Sequence, residues 1–353
     1  MALKLGIIGC GGIANSHMHG YNALGDRVEA VACCDINVKK AKEFAERYSI
    51  PHYYDNCYDM LKNHALDIAD VCTWNAAHCE CAVAALEAGV NVICEKPMAM
   101  NAAEAQKMKD AADKAGKLLM VGFVRRQGDD AKRAVELIKD GSLGDVYFAK
   151  ATYLRRAGFP GGWFGNKALS GGGPLIDLGV HVIDLTRYIM GCPKPVSVYG
   201  AAFNKLGSRE DVGREGGAWI SQTEVDKPVF NVEDLAVAMI RFDNGALLEV
   251  ECSFNLNLKH EKGDIEIYGT KAGFSLGEFE LHTVVDHELA DIKLNGDHRF
   301  EFQRDMDKEM KNFMDAVEGK APCMAPAEDG VALMKILDAI YLSAETGKSV
   351  DIN

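Results

Sequence analysis

Residues 171–184 read GGGPLIDLGVHVID, an apolar run that carries three ionisable side chains, Asp177, His181 and Asp184. Pro174 suits the first turn of a helix, where its missing N–H has no partner to lose. On an α-helix the three side chains then fall at i, i+4 and i+7, along one face. Ionisable groups on an otherwise apolar helix must be satisfied internally or face a cavity. An imidazole such as His181 titrates ordinarily at about 6.5, so it can take and return a proton near neutral pH. Asp177, one turn earlier, can orient that imidazole or hold a substrate hydroxyl, and Gly179 between them leaves room for a ligand. Asp184 is the weakest member of the stripe, with Arg187 as a ready partner. A buried structural His–Asp pair is the plain alternative; the neighbouring glycines and a long preceding loop favour the functional one.

A cation follows the apolar run Val90–Cys94, in Glu95-Lys96-Pro97. Ligands of open α/β sheets bind beyond the carboxyl ends of the strands, which aims Lys96 at such a crevice. Pro97 restricts the backbone of Lys96 and ends strand pairing. A lysine fixed there can donate to a hydroxyl oxygen and stabilise alkoxide character as hydride leaves. The alternative is a surface lysine paired with Glu95.

A hydride needs an acceptor, and the chain start offers a site for one. The run Leu3–Ile8 leads directly into Gly9-Cys10-Gly11-Gly12-Ile13-Ala14, which fits G-x-G-x-x-A. Gly9 permits the tight turn, Gly11 lets the backbone approach a pyrophosphate, and Ala14 lets the helix pack close to the strand. The free N–H groups and dipole at the helix start, at Gly12 and Ile13, stabilise phosphate charge. Asp35 closes the next strand, where a carboxylate accepts hydrogen bonds from the adenosine ribose hydroxyls and repels a 2′-phosphate. No arginine follows in Ile36-Asn37, so NAD is expected rather than NADP. The alternative is a glycine-rich turn in which Asp35 caps the next helix. No metal is expected. Asp177 and His181 could be ligands, and His78, Cys79 and Cys81 cluster, but Cys79-x-Cys81 lacks the usual spacing and its residues fall on divergent helix faces.

The elements that must position these residues are visible in the periodicity. Strand patterns at Leu3–Ile8, Val28–Cys34, Ile68–Thr73, Val90–Cys94 and Leu118–Val121 alternate with helical patterns at Ile13–Leu24, Val38–Tyr48, His78–Ala88 and Ala102–Ala115. Continuous apolar strands between helices predict a parallel sheet buried on both faces over residues 1–122. Residues 123–353 follow another rhythm. Asp243-Asn244-Gly245 predicts a hairpin turn. Leu248, Val250 and Cys252 alternate with Glu249 and Glu251, as Ile265 and Ile267 do with Asp264 and Glu266, which predicts an antiparallel sheet covered on one face. Such a sheet completes its burial against helices or a second subunit. Two apolar stripes, Met306 to Val317 and Val331 to Ala344, predict closing helices.

Composition narrows the function. The 353 residues hold 39 Lys+Arg against 52 Asp+Glu, a net charge of −13, which disfavours nucleic acid and anionic membranes as partners. No apolar run reaches the ~18–20 residues of a membrane span, and the start lacks a signal peptide's apolar core. Eleven cysteines, an odd number, stand largely within apolar segments and fit reduced thiols in a cytoplasmic setting.

These motifs, in this order, resemble the glucose–fructose oxidoreductase / inositol dehydrogenase (Gfo/Idh/MocA) family along essentially the whole chain. The resemblance implies an N-terminal Rossmann domain (1–122), a doubly wound parallel sheet, and a C-terminal α/β domain (123–353) with a large, mostly antiparallel open sheet. It implies that Lys96, Asp177 and His181 are the catalytic trio. Thr73-Trp74-Asn75-Ala76-Ala77-His78 is similar to the family's T-P-N-x-x-H segment, with Trp74 in the proline position. That likeness puts Thr73, Asn75 and His78, together with Glu95 and Lys96, beside the nicotinamide end of NAD. The family's lysine–proline bond is cis in several members, and Lys96–Pro97 is expected to follow. Its sheet commonly builds homodimers or homotetramers.

Gly122-Phe123-Val124-Arg125-Arg126 resembles the R-R segment of inositol dehydrogenases, and Arg126 is expected to reach the substrate. The glycine-rich stretch from Arg155 to Gly173 carries Arg156 and Trp163. A loop of that length inside a compact domain is usually functional. Trp163 could face the C–H side of a sugar while arginines and carboxylates bond its hydroxyls, or could pack on its own loop. The reading is an NAD(H)-dependent dehydrogenase acting on a secondary hydroxyl of a sugar, glycoside or cyclitol, with C3 of a glycoside preferred because the loop is broad. Two alternatives stand: an NAD-retaining enzyme that cleaves glycosides through transient C3 oxidation, and a non-enzymatic NAD-binding regulator.

Overall fold

A computed structural model describes residues 2–209, 212, 220–221, 229–296 and 298–352. The chain begins β1 (Leu3–Ile8), α1 (Gly12–Ala23), β2 (Val28–Cys34), α2 (Val38–Tyr48), β3 (His52–Tyr54), α3 (Cys57–Asn63), β4 (Ile68–Val71), α4 (Asn75–Glu87), β5 (Asn91–Glu95), α5 (Ala102–Ala115) and β6 (Leu119–Gly122). It continues through α6 (Asp129–Lys139), β7 (Val146–Leu154), the short α7 (Lys167–Ser170), a π-helix (Leu175–Gly179), α8 (Val180–Ile189), β8 (Pro195–Phe203), β9 (Leu235–Phe242), β10 (Leu247–Ser253), β11 (Lys262–Gly269), β12 (Ala272–Ser275), β13 (Glu280–Val285) and β14 (Glu288–Lys293). It closes with α9 (Phe302–Val317), α10 (Ala327–Thr346) and β15 (Val350–Asp351).

The described chain forms two compact units. The first comprises Met1–Val124 and Phe302–Met334, and its sheet has the order β3-β2-β1-β4-β5-β6 with every pairing parallel. Leu5, Ile7, Ile68, Val71, Val92 and Ile93 are wholly buried, as helices on both faces require. The strand order reverses between β1 and β4, so the crevice at their carboxyl ends is where such a sheet receives a ligand. The sequence places one break at 122/123; the structure instead returns residues 302–334 to the first unit. The cause is the stripe Met306, Met310, Phe313 and Met314, all buried, which lies on α1 where Gly20 offers no side chain.

The second unit, Arg125–Glu301 with Lys335–Asn353, is built on a nine-stranded sheet of order β14-β13-β12-β11-β7-β10-β9-β8-β15. Only the β7–β10 pairing is parallel among those described. The hairpin at Asp243-Asn244-Gly245 joins β9 to β10 as expected, with Gly245 in the left-handed region at φ +86°. Leu248, Val250, Cys252, Ile265 and Ile267 are buried, and the alternate positions turn outward. One face is covered by α8, the π-helix and the C-terminal part of α10, where the Ser343 hydroxyl accepts from the Gly200 N–H at 2.9 Å. The other face leaves Tyr199 and Met239 exposed. No helix among the described residues is long and apolar enough to cross a membrane.

Candidate active site

In the first unit, Gly9 stands at φ +95° and donates its N–H to the Cys34 carbonyl at 2.8 Å. A Cβ at Gly9 would lie 2.7 Å from the Cys72 carbonyl oxygen, so only glycine lets the turn pass the end of β4. Gly11 is the N-cap of α1, no side chain caps the helix, and no atom lies within 4 Å of where its Cβ would be. The first turn, from Gly12 and Ile13, carries no acidic residue, and Ala14 is wholly buried against the strands. Open backbone, uncapped amides and an unopposed helix dipole fit the pyrophosphate of a dinucleotide.

Asp35 follows β2 and accepts from the Cys10 N–H at 2.9 Å through Oδ2 and from the Asn37 N–H at 2.8 Å through Oδ1. The cap of α2 is Asn37, which accepts from Lys39 and Lys40, so the helix-capping alternative for Asp35 is overturned. The carboxylate instead holds the glycine turn, and its remaining lone pairs fit ribose hydroxyls.

Beyond β5 the Lys96–Pro97 bond is cis, as expected. Lys96 is half-buried, and its backbone N–H donates to Glu95 Oε2 at 3.1 Å. Glu95 is buried, and its Oε1 accepts from His17 Nε2 at 3.0 Å. His78, expected near the cofactor, is wholly buried, donating from Nδ1 to the Pro97 carbonyl at 2.7 Å, with Nε2 3.1 Å from the Thr73 carbonyl. Burial lowers its pKa below the ordinary imidazole value. His78 thus ties the lysine turn to the segment after β4. Trp74 caps α4 at φ −74°, the angle a proline would impose, so the turn keeps its shape without proline. Asn75 opens α4 and is buried, while Thr73 is half-buried.

In the second unit the helix carrying Asp177 and His181 departs from the expected α-geometry. Leu175–Gly179 is a π-helix that runs into α8, and its wider turn breaks the uniform spacing assumed for one polar face. Asp177 is 9% exposed and His181 half-buried, whereas Asp184 turns inward. Gly179 does not leave room for a ligand: its Cβ would meet Leu175 at 3.1 Å and Cys252 Sγ at 3.2 Å, so it lets the π-turn press onto β10. A Cβ on Gly172 would overlap the Tyr341 hydroxyl and one on Gly173 the Glu233 carbonyl. The triple glycine is a packing surface for the start of this helix.

Glu233 sits at that start, accepting from the Leu175 N–H at 3.2 Å and the Tyr341 hydroxyl at 2.9 Å. Burial raises its pKa above the usual carboxylate value. Neither Glu233 nor the buried His17–Asp70 pair of the first unit emerges from the sequence reading. Asp70 inside the apolar run Ile68–Val71 was the available signal, since a carboxylate within a buried strand demands a partner.

Arg126 was expected to reach the substrate. It is 1% exposed, donates from Nε and a terminal nitrogen to Asp184 at 2.9 and 2.6 Å, and lies over the Tyr188 ring at 4.7 Å. Arg187 donates to the Pro193 and Cys192 carbonyls. Arg156 is half-buried, its carbonyl accepting from Arg209 at 3.0 Å. Trp163 stacks on Phe164, ring centroids 4.0 Å apart, beside the buried cluster Phe159, Phe164, Leu178 and Phe254.

Two family models match: the oxidoreductase family's NAD-binding Rossmann fold over residues 3–123 and its C-terminal alpha/beta domain over 135–352. The chain is 36% identical to a D-glucoside 3-dehydrogenase of Escherichia coli, over 99% of this chain and 97% of that protein. It is 26% identical to a myo-inositol 2-dehydrogenase of Thermotoga maritima, over 99% and 98%. Among solved structures, a levoglucosan dehydrogenase in complex with NADH and levoglucosan superposes with a TM-score of 0.84 at 25% identity, each chain wholly covered.

Proposed function

Since the chain belongs to the Gfo/Idh/MocA oxidoreductase family and is an NAD-dependent dehydrogenase acting in sugar chemistry, we propose that it oxidises a secondary hydroxyl of a sugar, glycoside or cyclitol, with C3 of a glycoside preferred. What supports this reading is Lys96 directly after β5 in the first unit, and Asp177 with His181 at the π-to-α transition in the second. The C3 preference is supported by the likeness to the D-glucoside 3-dehydrogenase and by the broad loop from Arg155 to Gly173.

NAD, when bound, supplies the hydride acceptor. Gly11, Gly12 and Ile13 hold its pyrophosphate and Asp35 its ribose, with Thr73, Asn75, Glu95 and Lys96 toward the nicotinamide end. The Lys96 ammonium donates to the hydroxyl oxygen and stabilises the negative charge that grows there. The His181 imidazole takes the hydroxyl proton, and Asp177 orients both substrate and imidazole. Arg156 and Trp163 bind the remainder of the sugar. Arg126, paired with Asp184, braces α8, the helix that carries His181. The exposed sheet face with Tyr199 and Met239 is the surface for a homodimer or homotetramer. The cysteines, most of them buried, suit a reducing, cytoplasmic setting.

Purified protein mixed with NAD and a panel of sugars, alkyl glucosides and cyclitols should produce NADH absorbance with glucosides foremost, and mass spectrometry should find a keto-glycoside two hydrogens lighter. Silence across the panel with NAD binding intact would overturn the reading. Release of aglycone without net NADH would replace it with the cofactor-retaining glycoside-cleaving alternative.

A further inference from the structure

His17, on α1, is 0% exposed, and each ring nitrogen faces a carboxylate. Nδ1 lies 2.8 Å from Asp70 Oδ2 on β4, and Nε2 lies 3.0 Å from Glu95 Oε1 on β5. A neutral imidazole has one N–H and could satisfy only one of these acceptors; the imidazolium donates to both. Cys72 Sγ is 3.5 Å from Nδ1, and Tyr21 of α1, Glu309 of α9 and Cys94 of β5 are further titratable groups around the cluster. Every one of these belongs to the first unit.

Glu95 connects this buried group to chemistry. Its Oε1 accepts from the ring, and its Oε2 accepts from the Lys96 N–H at 3.1 Å. We propose that His17 is a buried imidazolium that acts as a positioning residue for Lys96, holding the Glu95 carboxylate in place so that it fixes the backbone of the lysine turn. The helix that begins at the glycine turn and the strand that ends at the lysine are thereby joined by one ion triad, Asp70–His17–Glu95. Burial alone would lower the imidazole pKa; the Asp70 carboxylate and Cys72 outweigh it and leave it well above the ordinary value. The inference rests on the reading of Lys96 as the group that polarises the substrate oxygen.

The test uses the full-length protein labelled with nitrogen-15 on histidine. The His17 ring nitrogens should show imidazolium shifts at pH 8, unchanged from pH 6. In Glu95→Gln, which retains the shape but removes one charge, the ring should titrate at a lower pH than in the native protein. His17→Gln should lower kcat on the order of tenfold to a hundredfold, the loss expected for a misplaced catalytic group, with the Kd for NAD unchanged. A neutral ring at pH 7, or native kcat in His17→Gln, would overturn the proposal. So would one equivalent of a tightly held divalent metal found by elemental analysis, since an ion among His17, Glu95 and Glu309 would take the proton's place. Full turnover in Lys96→Met would instead defeat the reading of the lysine while leaving the ring spectra as described.

Discussion

Replacing Arg126 with methionine separates a supporting residue from a substrate ligand. The side chain is 1% exposed and Asp184 2%, joined by hydrogen bonds of 2.9 and 2.6 Å, so the substitution strands a buried carboxylate. Losing one partner of such a pair costs about 3–5 kcal/mol. At about 2–4 °C per kcal/mol for a unit of roughly 150–250 residues, Tm should fall by roughly 6–20 °C. Removing both charges in Arg126→Met/Asp184→Leu should recover most of that loss, because the cost lies in the unpaired charge and not in the missing pair. Differential scanning calorimetry on the native protein, both single variants and the double variant gives the cycle. KM for the sugar should change little in any variant that folds. A Tm unchanged in Arg126→Met, with KM raised tenfold or more, would refute the buried-pair reasoning and return the guanidinium to the substrate.

Three further outcomes are expected. His181→Ala should lower kcat by about 10²–10⁴, the usual contribution of a positioned general base, and should abolish the acidic limb of the kcat/KM–pH profile; a native profile would reassign the base. Asp35→Ser should raise KM for NAD and improve the relative use of NADP, because the carboxylate that repels a 2′-phosphate is gone; an unchanged cofactor ratio in steady-state assays would contradict that. The His17 pKa is raised in the folded protein, so its bound proton stabilises the fold fully below about pH 6.5 and this contribution is lost as pH rises through the folded value. Urea titrations between pH 6 and 9 should therefore show the native protein losing stability relative to His17→Gln; parallel curves would contradict a raised pKa.

Much of the first unit was legible because its signals are local. A strand, a glycine turn and a helix within residues 3–23 declare themselves through period and backbone demand, and β1, β2, α2 and α5 have the expected limits. The three-residue β3 and seven-residue α3 were too short to show a period. The return of α9 to the first unit depends on a contact between Met310 and Gly20, which no local pattern encodes. The same contrast runs through the site. Lys96, Asp177 and His181 stand out by type and spacing, yet the π-turn at Leu175–Gly179 and the close approach of Gly179 to Cys252, distant in sequence, leave no local pattern. Arg126 looked like a ligand because its segment resembles the R-R segment of inositol dehydrogenases; its burial depends on Asp184, 58 residues away.

The most direct measurement uses a methyl glucoside carrying deuterium at C3, with NAD and the purified protein. The expected result is transfer of the label to the nicotinamide ring, with a primary isotope effect on kcat/KM and a 3-keto product. Reduced cofactor bearing only protium, from a substrate that retains its deuterium, would contradict oxidation at that carbon.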